Sequence, residues 1–77
     1  MKLEIISPSE VLYSGDVEAV TLPGVQGSFT VLRNHASLIS VLKAGNVVYK
    51  NLEGETSVGI KGGLVDVDNN KIAVCVY

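Results

Sequence analysis

Turn-forming residues interrupt this chain every few positions, and that spacing most constrains its fold. Pro8-Ser9, Ser14-Gly15-Asp16, Pro23-Gly24, Gln26-Gly27, Gly62-Gly63 and Asn69-Asn70 punctuate it. Between them lie short runs of alternating apolar and polar residues, and no window carries a sustained 3.6-residue apolar stripe. The side chains agree: thirteen valines and five isoleucines stand against four alanines, a bias toward pleated strands.

The runs read as strands over Lys2 to Ser7, Glu10 to Tyr13, Val17 to Leu22, Ser28 to Leu32 and Leu38 to Leu42. Further strands follow over Val47 to Lys50, Ser57 to Lys61, Leu64 to Asp68 and Lys71 to Val76. Pro8 removes a donor and stops pairing after the first run. Lys43-Ala44-Gly45-Asn46 reads as a turn, and Leu52-Glu53-Gly54-Glu55 as a hairpin loop. Gly62-Gly63 breaks the next junction as a bulge or a tight crossing. Asn69-Asn70 suits a two-residue hairpin, because asparagine tolerates the left-handed region. The expected fold is all-β, a flattened antiparallel β-sandwich of about eight to ten short strands.

Seventy-seven residues make one domain, 1–77. A globule of this mass exposes about 4,500 Å², and two standard interfaces of about 800 Å² per partner would cover about a third of it. The net charge of -2 comes from interspersed lysines and acids. No basic stripe points to nucleic acid, and no polybasic cluster points to a lipid surface. Nothing approaches eighteen consecutive apolar residues, so direct membrane insertion is not expected. Cys75 is the single cysteine, which excludes a disulfide framework and fits a reducing compartment. Its place in Ile72-Ala73-Val74-Cys75-Val76 reads as a buried small hydrophobe.

No catalytic constellation emerges. The single histidine, His35, lies in an expected loop and Cys75 in an expected core strand, so the two do not form a nucleophilic pair. No HxH, CxxC or HExxH spacing exists for a metal. Asp66-Val67-Asp68-Asn69-Asn70 places oxygens at alternate positions but lacks the glycine and distal glutamate of a calcium loop. Gly59 to Gly63 lacks the spacing of a phosphate loop. Tyr13, Tyr49 and Tyr77 are scattered and form no stacking platform. The chain therefore reads as a binding or structural module, with no cofactor and no catalytic or metal site.

The stretch Gly27 to Ile39 sets a polar knot, Arg33-Asn34-His35, between two apolar runs, and reads as a docking surface. Four segments carry a family resemblance. They are Leu3-Glu4-Ile5-Ile6-Ser7-Pro8; Tyr13-Ser14-Gly15-Asp16-Val17-Glu18; Gly27 to Lys43, with His35-Ala36-x-Leu38 and then Gly45; and Lys61-Gly62-Gly63-Leu64-Val65-Asp66-Val67. In order and spacing they resemble the N-terminal β-sandwich domain of the epsilon subunit of rotary, F-type ATP synthases, called delta in mitochondria. The resemblance covers nearly the whole chain.

That resemblance implies a rotor subunit at the foot of the central stalk. It would dock the gamma subunit onto the membrane proteolipid ring and couple ring rotation to ATP synthesis, without catalysis of its own. It would be peripheral on the cytoplasmic face of the bacterial plasma membrane, or on the equivalent organellar face. It implies gamma-side contacts at Ser7, His35 and Ser40 and ring-side contacts at Gly27 and Ser28. Ser28 stands where the family commonly has an acid, and Thr30 where it has glycine. Arg33-Asn34 replaces a frequent Pro-Gly, Ser37 and Ala44 frequent prolines. The family's C-terminal helical hairpin is absent from these 77 residues. The competing expectation is a free-standing ligand-binding β-sandwich, which would need an apolar pocket with an exposed aromatic. The lack of tryptophan argues against it.

Overall fold

In the computed structural model, which describes residues 1–77, every regular element is a strand. These are β1 (Lys2–Ile6), β2 (Val11–Asp16), β3 (Ala19–Gly24), β4 (Gly27–Leu32), β5 (Leu38–Asn51), β6 (Gly54–Asp68) and β7 (Lys71–Val76). No helix is long and apolar enough to cross a membrane. The strands form one sheet in the order β2-β1-β7-β6-β5-β3-β4. All neighbours are antiparallel except β1 and β7, which run parallel from Lys2↔Lys71 to Ile6↔Cys75.

Seven strands replace the nine expected, because two pairs of runs fuse. The expected turn at Lys43 to Asn46 is strand, and Gly62-Gly63 lies inside β6 rather than breaking it. The β5–β6 register holds from Leu38↔Val67 to Asn51↔Gly54 without a shift. What changes midway is the face that looks inward. In β5 the buried residue is Leu42 before the change and Val47 and Tyr49 after it; in β6, Val67 and Val65 give way to Ile60. A switch of parity in both strands at one level means that the ribbon rotates as it passes from one layer to the other.

Glycines permit that rotation. Gly62 and Gly63 have φ of 151° and 159°, and both are buried. A Cβ on Gly63 would overlap the Cys75 carbonyl oxygen of the neighbouring strand. Sequence reading recognised the close approach but not its continuity. A turn signal marks where the backbone must bend, and a long ribbon can bend while keeping its ladder.

The last half of β6 pairs with the first half of β5 on one side and with β7 on the other, and β1 and β2 follow beyond β7. The second half of β5 carries β3 and β4. Their inner faces close on one core of sixteen buried residues, including Leu3, Ile5, Leu22, Leu42, Ile72 and Val74. No polar or charged side chain is buried, no buried side-chain nitrogen or oxygen lacks a hydrogen-bond partner, and the buried N-terminal ammonium of Met1 donates to the Val17 carbonyl at 3.2 Å. The accessible surface is 4652 Å². At β3, pairing with β5 slips between Thr21 and Gly24, where Pro23 packs so close to Gly45 that a Cβ there would come within 2.9 Å. The Asn69-Asn70 turn has positive φ at both residues, 49° and 59°. This is the left-handed pair that a tight hairpin requires.

Candidate docking surfaces

The strand register assembles an apolar row on the outside of the first layer. Val41 pairs with Leu64, Leu64 with Cys75, Cys75 with Ile6 and Ile6 with Val11. Residues directly opposite on adjacent strands project from the same face, so Val41, Leu64, Cys75 and Ile6 line up across four strands, and Val11 adjoins Ile6 where the β1–β2 register shifts. Their exposures are substantial: 48% for Val41, 50% for Leu64, 36% for Ile6 and 60% for Val11. Val25, in the β3–β4 turn, extends the row through its N–H, which donates to the Val41 carbonyl at 3.1 Å.

The next level along the strands is mixed: Ile39, Asp66, Ala73, Glu4 and Ser14. The one beyond is charged: Asp68, Lys71, Lys2 and Asp16. The face therefore grades from apolar to charged over about 13 Å at ~3.3 Å per residue. A contiguous exposed apolar row is the kind of feature that marks a protein interface.

Cys75 corrects an expectation. It is exposed in the middle of this row, not buried. Strand alternation in β7 turns Ile72, Val74 and Val76 inward and leaves Cys75 on the other face. In a run of five consecutive apolar residues, Ile72 to Val76, composition alone cannot choose the parity.

The expected contact residues distribute unevenly around this face. Ser7 sits at its apolar end, just after Ile6. Its N–H donates to the Glu10 carbonyl at 2.9 Å, and its Oγ accepts from the Glu10 N–H at 3.3 Å. Ser40 is half-buried and faces the other way from Ile39 and Val41. It lines an open concavity of about 560 Å³ together with Gly24, Gly27, Ser28 and Phe29. The expected ring-side pair, Gly27 and Ser28, thus lies beside Ser40 at one end of the sandwich. The concavity is open, and half-buried Phe29 is its one aromatic, so it lacks the enclosing apolar walls of a small-molecule site.

His35 lies at the opposite end. Arg33 and Asn34 occupy the centre of a tight turn closed by the His35 N–H on the Leu32 carbonyl at 3.1 Å. Asn34 takes the left-handed position, φ 64°, which asparagine fills better than other residues bearing a Cβ. The His35 Nδ1 lies 2.7 Å from the Ala36 carbonyl oxygen. A carbonyl can only accept, so Nδ1 carries the hydrogen and neutral His35 keeps Nε2 as an acceptor. No group of three or more His, Cys, Asp or Glu side chains is placed to hold a metal.

The sequence and architecture match one family throughout. Residues 1–77 match the family model described as "ATP synthase, Delta/Epsilon chain, beta-sandwich domain". The chain belongs to this family. Proteins named "ATP synthase epsilon chain" from Sulfurovum sp. (strain NBC37-1) and Sulfurimonas denitrificans are each 46% identical over 77 residues, covering 99% of this chain. The chain spans 60% and 59% of the lengths of these two delta/epsilon-family relatives.

Two solved assemblies share the fold of this delta/epsilon domain. One is the Euglena gracilis mitochondrial ATP synthase, OSCP/F1/c-ring, with a TM-score of 0.89 at 21% identity over 96% of this chain and 48% of that chain. The other is the Tetrahymena thermophila mitochondrial ATP synthase, central stalk/c-ring, with a TM-score of 0.80 at 18% identity over 97% of this chain and 61% of that chain.

The apolar row is the feature that sequence reading missed. Its signal was present in doublets such as Ile5-Ile6, Val41-Leu42 and Leu64-Val65. In an alternating strand, a doublet forces one apolar side chain outward. Only the register shows that those outward residues meet.

Proposed function

We propose that this chain is the sandwich domain of an ATP synthase rotor subunit, non-catalytic, that docks the gamma subunit onto the proteolipid ring. Ring rotation would pass through it to ATP synthesis. The observation that carries this reading is the exposed apolar row from Val25 to Val11, on a domain whose family and fold neighbours belong to ATP synthase.

Gamma covers the outer face of the first layer, with Ser7 at its apolar end and His35 at its charged end. Ser40 contributes from the concavity beside it. The ring meets the β3–β4 hairpin tip at Gly27 and Ser28, both exposed. With Ser28 in that tip, the ring contact relies on a hydroxyl and exposed backbone rather than on a carboxylate. Two standard interfaces would take about 800 Å² each from the domain, about a third of its 4652 Å². Torque passes between them along β5 and β6, whose unbroken ladder belongs to both layers. In such a complex the chain would lie at the cytoplasmic face of the bacterial plasma membrane, or at the equivalent organellar face.

Cys75 supplies the test, because it is exposed, central to the row and the single thiol. Maleimide labelling of Cys75 should be fast in the isolated chain and slow by at least about ten-fold after assembly with gamma, since an interface core is desolvated. Equal labelling rates in both states, with binding verified, would remove gamma from this face.

A further inference from the structure

The loop that carries His35 is fastened to a distant turn by hydrogen bonds that each use at least one side chain. The Asn34 N–H donates to Asn70 Oδ1 at 2.6 Å, and Asn70 Nδ2 donates back to Asn34 Oδ1 at 3.1 Å. Three residues on, Ser37 Oγ donates to Asp68 Oδ1 at 2.7 Å. These bonds bracket His35 on both sides. The turn is itself anchored, because the Asn70 carbonyl accepts from the Lys2 N–H at 2.9 Å. Asn70 therefore joins the start of β1, the β6–β7 turn and the His35 loop.

The clasp does not bury anything, since its side-chain hydrogen bonds are exposed. Exposed side-chain bonds add little to global stability. Their consequence is local: they remove freedom from a loop that otherwise has the single backbone bond from His35 to Leu32. A loop already held in its bound form loses less entropy on docking.

We propose that Asn70, with Asp68, is a positioning residue for partner docking: it holds the 33–37 loop so that His35 presents Nε2 to a hydrogen-bond donor on gamma. The proposal rests on the reading that His35 contacts gamma. It assigns a role to the β6–β7 turn that the turn's own geometry does not require, because two glycines would serve the left-handed positions equally well.

The test is a double-mutant cycle of His35→Ala and Asn70→Gly, read as gamma affinity. Glycine at 70 retains the positive φ, so the turn survives while the clasp is lost. Asn70→Gly alone should weaken gamma binding about five-fold, as loss of one net hydrogen bond would. It should also remove the downfield shift and exchange protection of the Asn34 amide in NMR spectra, with the remaining amides dispersed as before. His35→Ala should weaken binding by a similar factor, and adding Asn70→Gly to it should cost nothing more.

An equal loss from Asn70→Gly in both backgrounds would show that Asn70 acts independently of His35 and would overturn the positioning role. No loss from Asn70→Gly, with His35→Ala still damaging, would overturn the inference while leaving the docking reading intact. No effect of His35→Ala would remove the loop from the gamma interface, and the positioning role with it.

Discussion

Tyr13 and Tyr49 stack across the sandwich, with ring centroids 4.1 Å apart and planes inclined by 29°. Tyr13 belongs to β2, at one edge of the strand order, and Tyr49 to the half of β5 that carries β3. The rings therefore join strands that share no backbone bond. Tyr49 is a buried member of the core, while Tyr13 is half-buried and packs against it. Truncating the two should separate these contributions. Tyr49→Ala should cost about 3–5 kcal/mol, as for other large aromatic truncations, and Tyr13→Leu about 1 kcal/mol for the lost ring pair. Urea unfolding midpoints at constant slope check both values.

Two glycines of β6 should respond to alanine with opposite sign. At Gly63 a Cβ would overlap the Cys75 carbonyl oxygen and φ is 159°, so Gly63→Ala should destabilise by about 2–4 kcal/mol. At Gly59 the nearest atom would be Asn46 Oδ1 at 3.5 Å, an ordinary contact. Gly59→Ala should stabilise by about 0.5 kcal/mol, because it narrows the unfolded ensemble at no native cost. Thermal unfolding of the two variants, compared in one buffer, tests the contrast.

Leu42 and Leu64 divide stability from docking. Leu42 is 2% exposed and Leu64 is 50% exposed, though both lie in the β5–β6 ribbon. Leu42→Ala should cost about 2–5 kcal/mol. Leu64→Ser should change stability by less than about 1 kcal/mol but weaken capture of gamma. Circular dichroism melts paired with a gamma pull-down distinguish the outcomes. A Leu64→Ser chain that is folded and binds gamma undiminished would count against the apolar row as the interface.

The Leu32–His35 turn should accept proline. Arg33 occupies its second position, follows an extended residue and donates no backbone bond outside the strands. Arg33→Pro should therefore stabilise by about 0.4–1 kcal/mol through the unfolded state. The reverse holds at the next position: Asn34→Val should cost about 1–3 kcal/mol, because a β-branched residue resists φ near 64°. Denaturant titrations of both variants read the difference.

Much of this architecture is legible before folding is considered. Val20-x-Leu22 and Val65-x-Val67, the latter alternating with Asp66 and Asp68, declare their inner faces by alternation. Asn69-Asn70 declares its turn through the tolerance of asparagine for positive φ. Lys43 to Asn46 misled because glycine and asparagine mark bends without saying whether the ladder survives the bend. It survives here because β6 bends at Gly62-Gly63 in step with it, a fact of the partner strand rather than of residues 43 to 46.

The site divides in the same way. Arg33-Asn34-His35 was visible as a polar knot, but its fastening to Asn70 lies 36 residues away in sequence. The outward position of Cys75 depended on which of two parities β7 would adopt. The chain's own residues decided that it would be built of strands alone. That outcome follows from local chemistry, in alternation, β-branching and turn propensity. Which apolar residues face out, and that Val41, Leu64, Cys75, Ile6 and Val11 meet in one row, was decided by tertiary structure. Register and strand order place side chains from distant segments about 5 Å apart, and no short window of sequence contains that information.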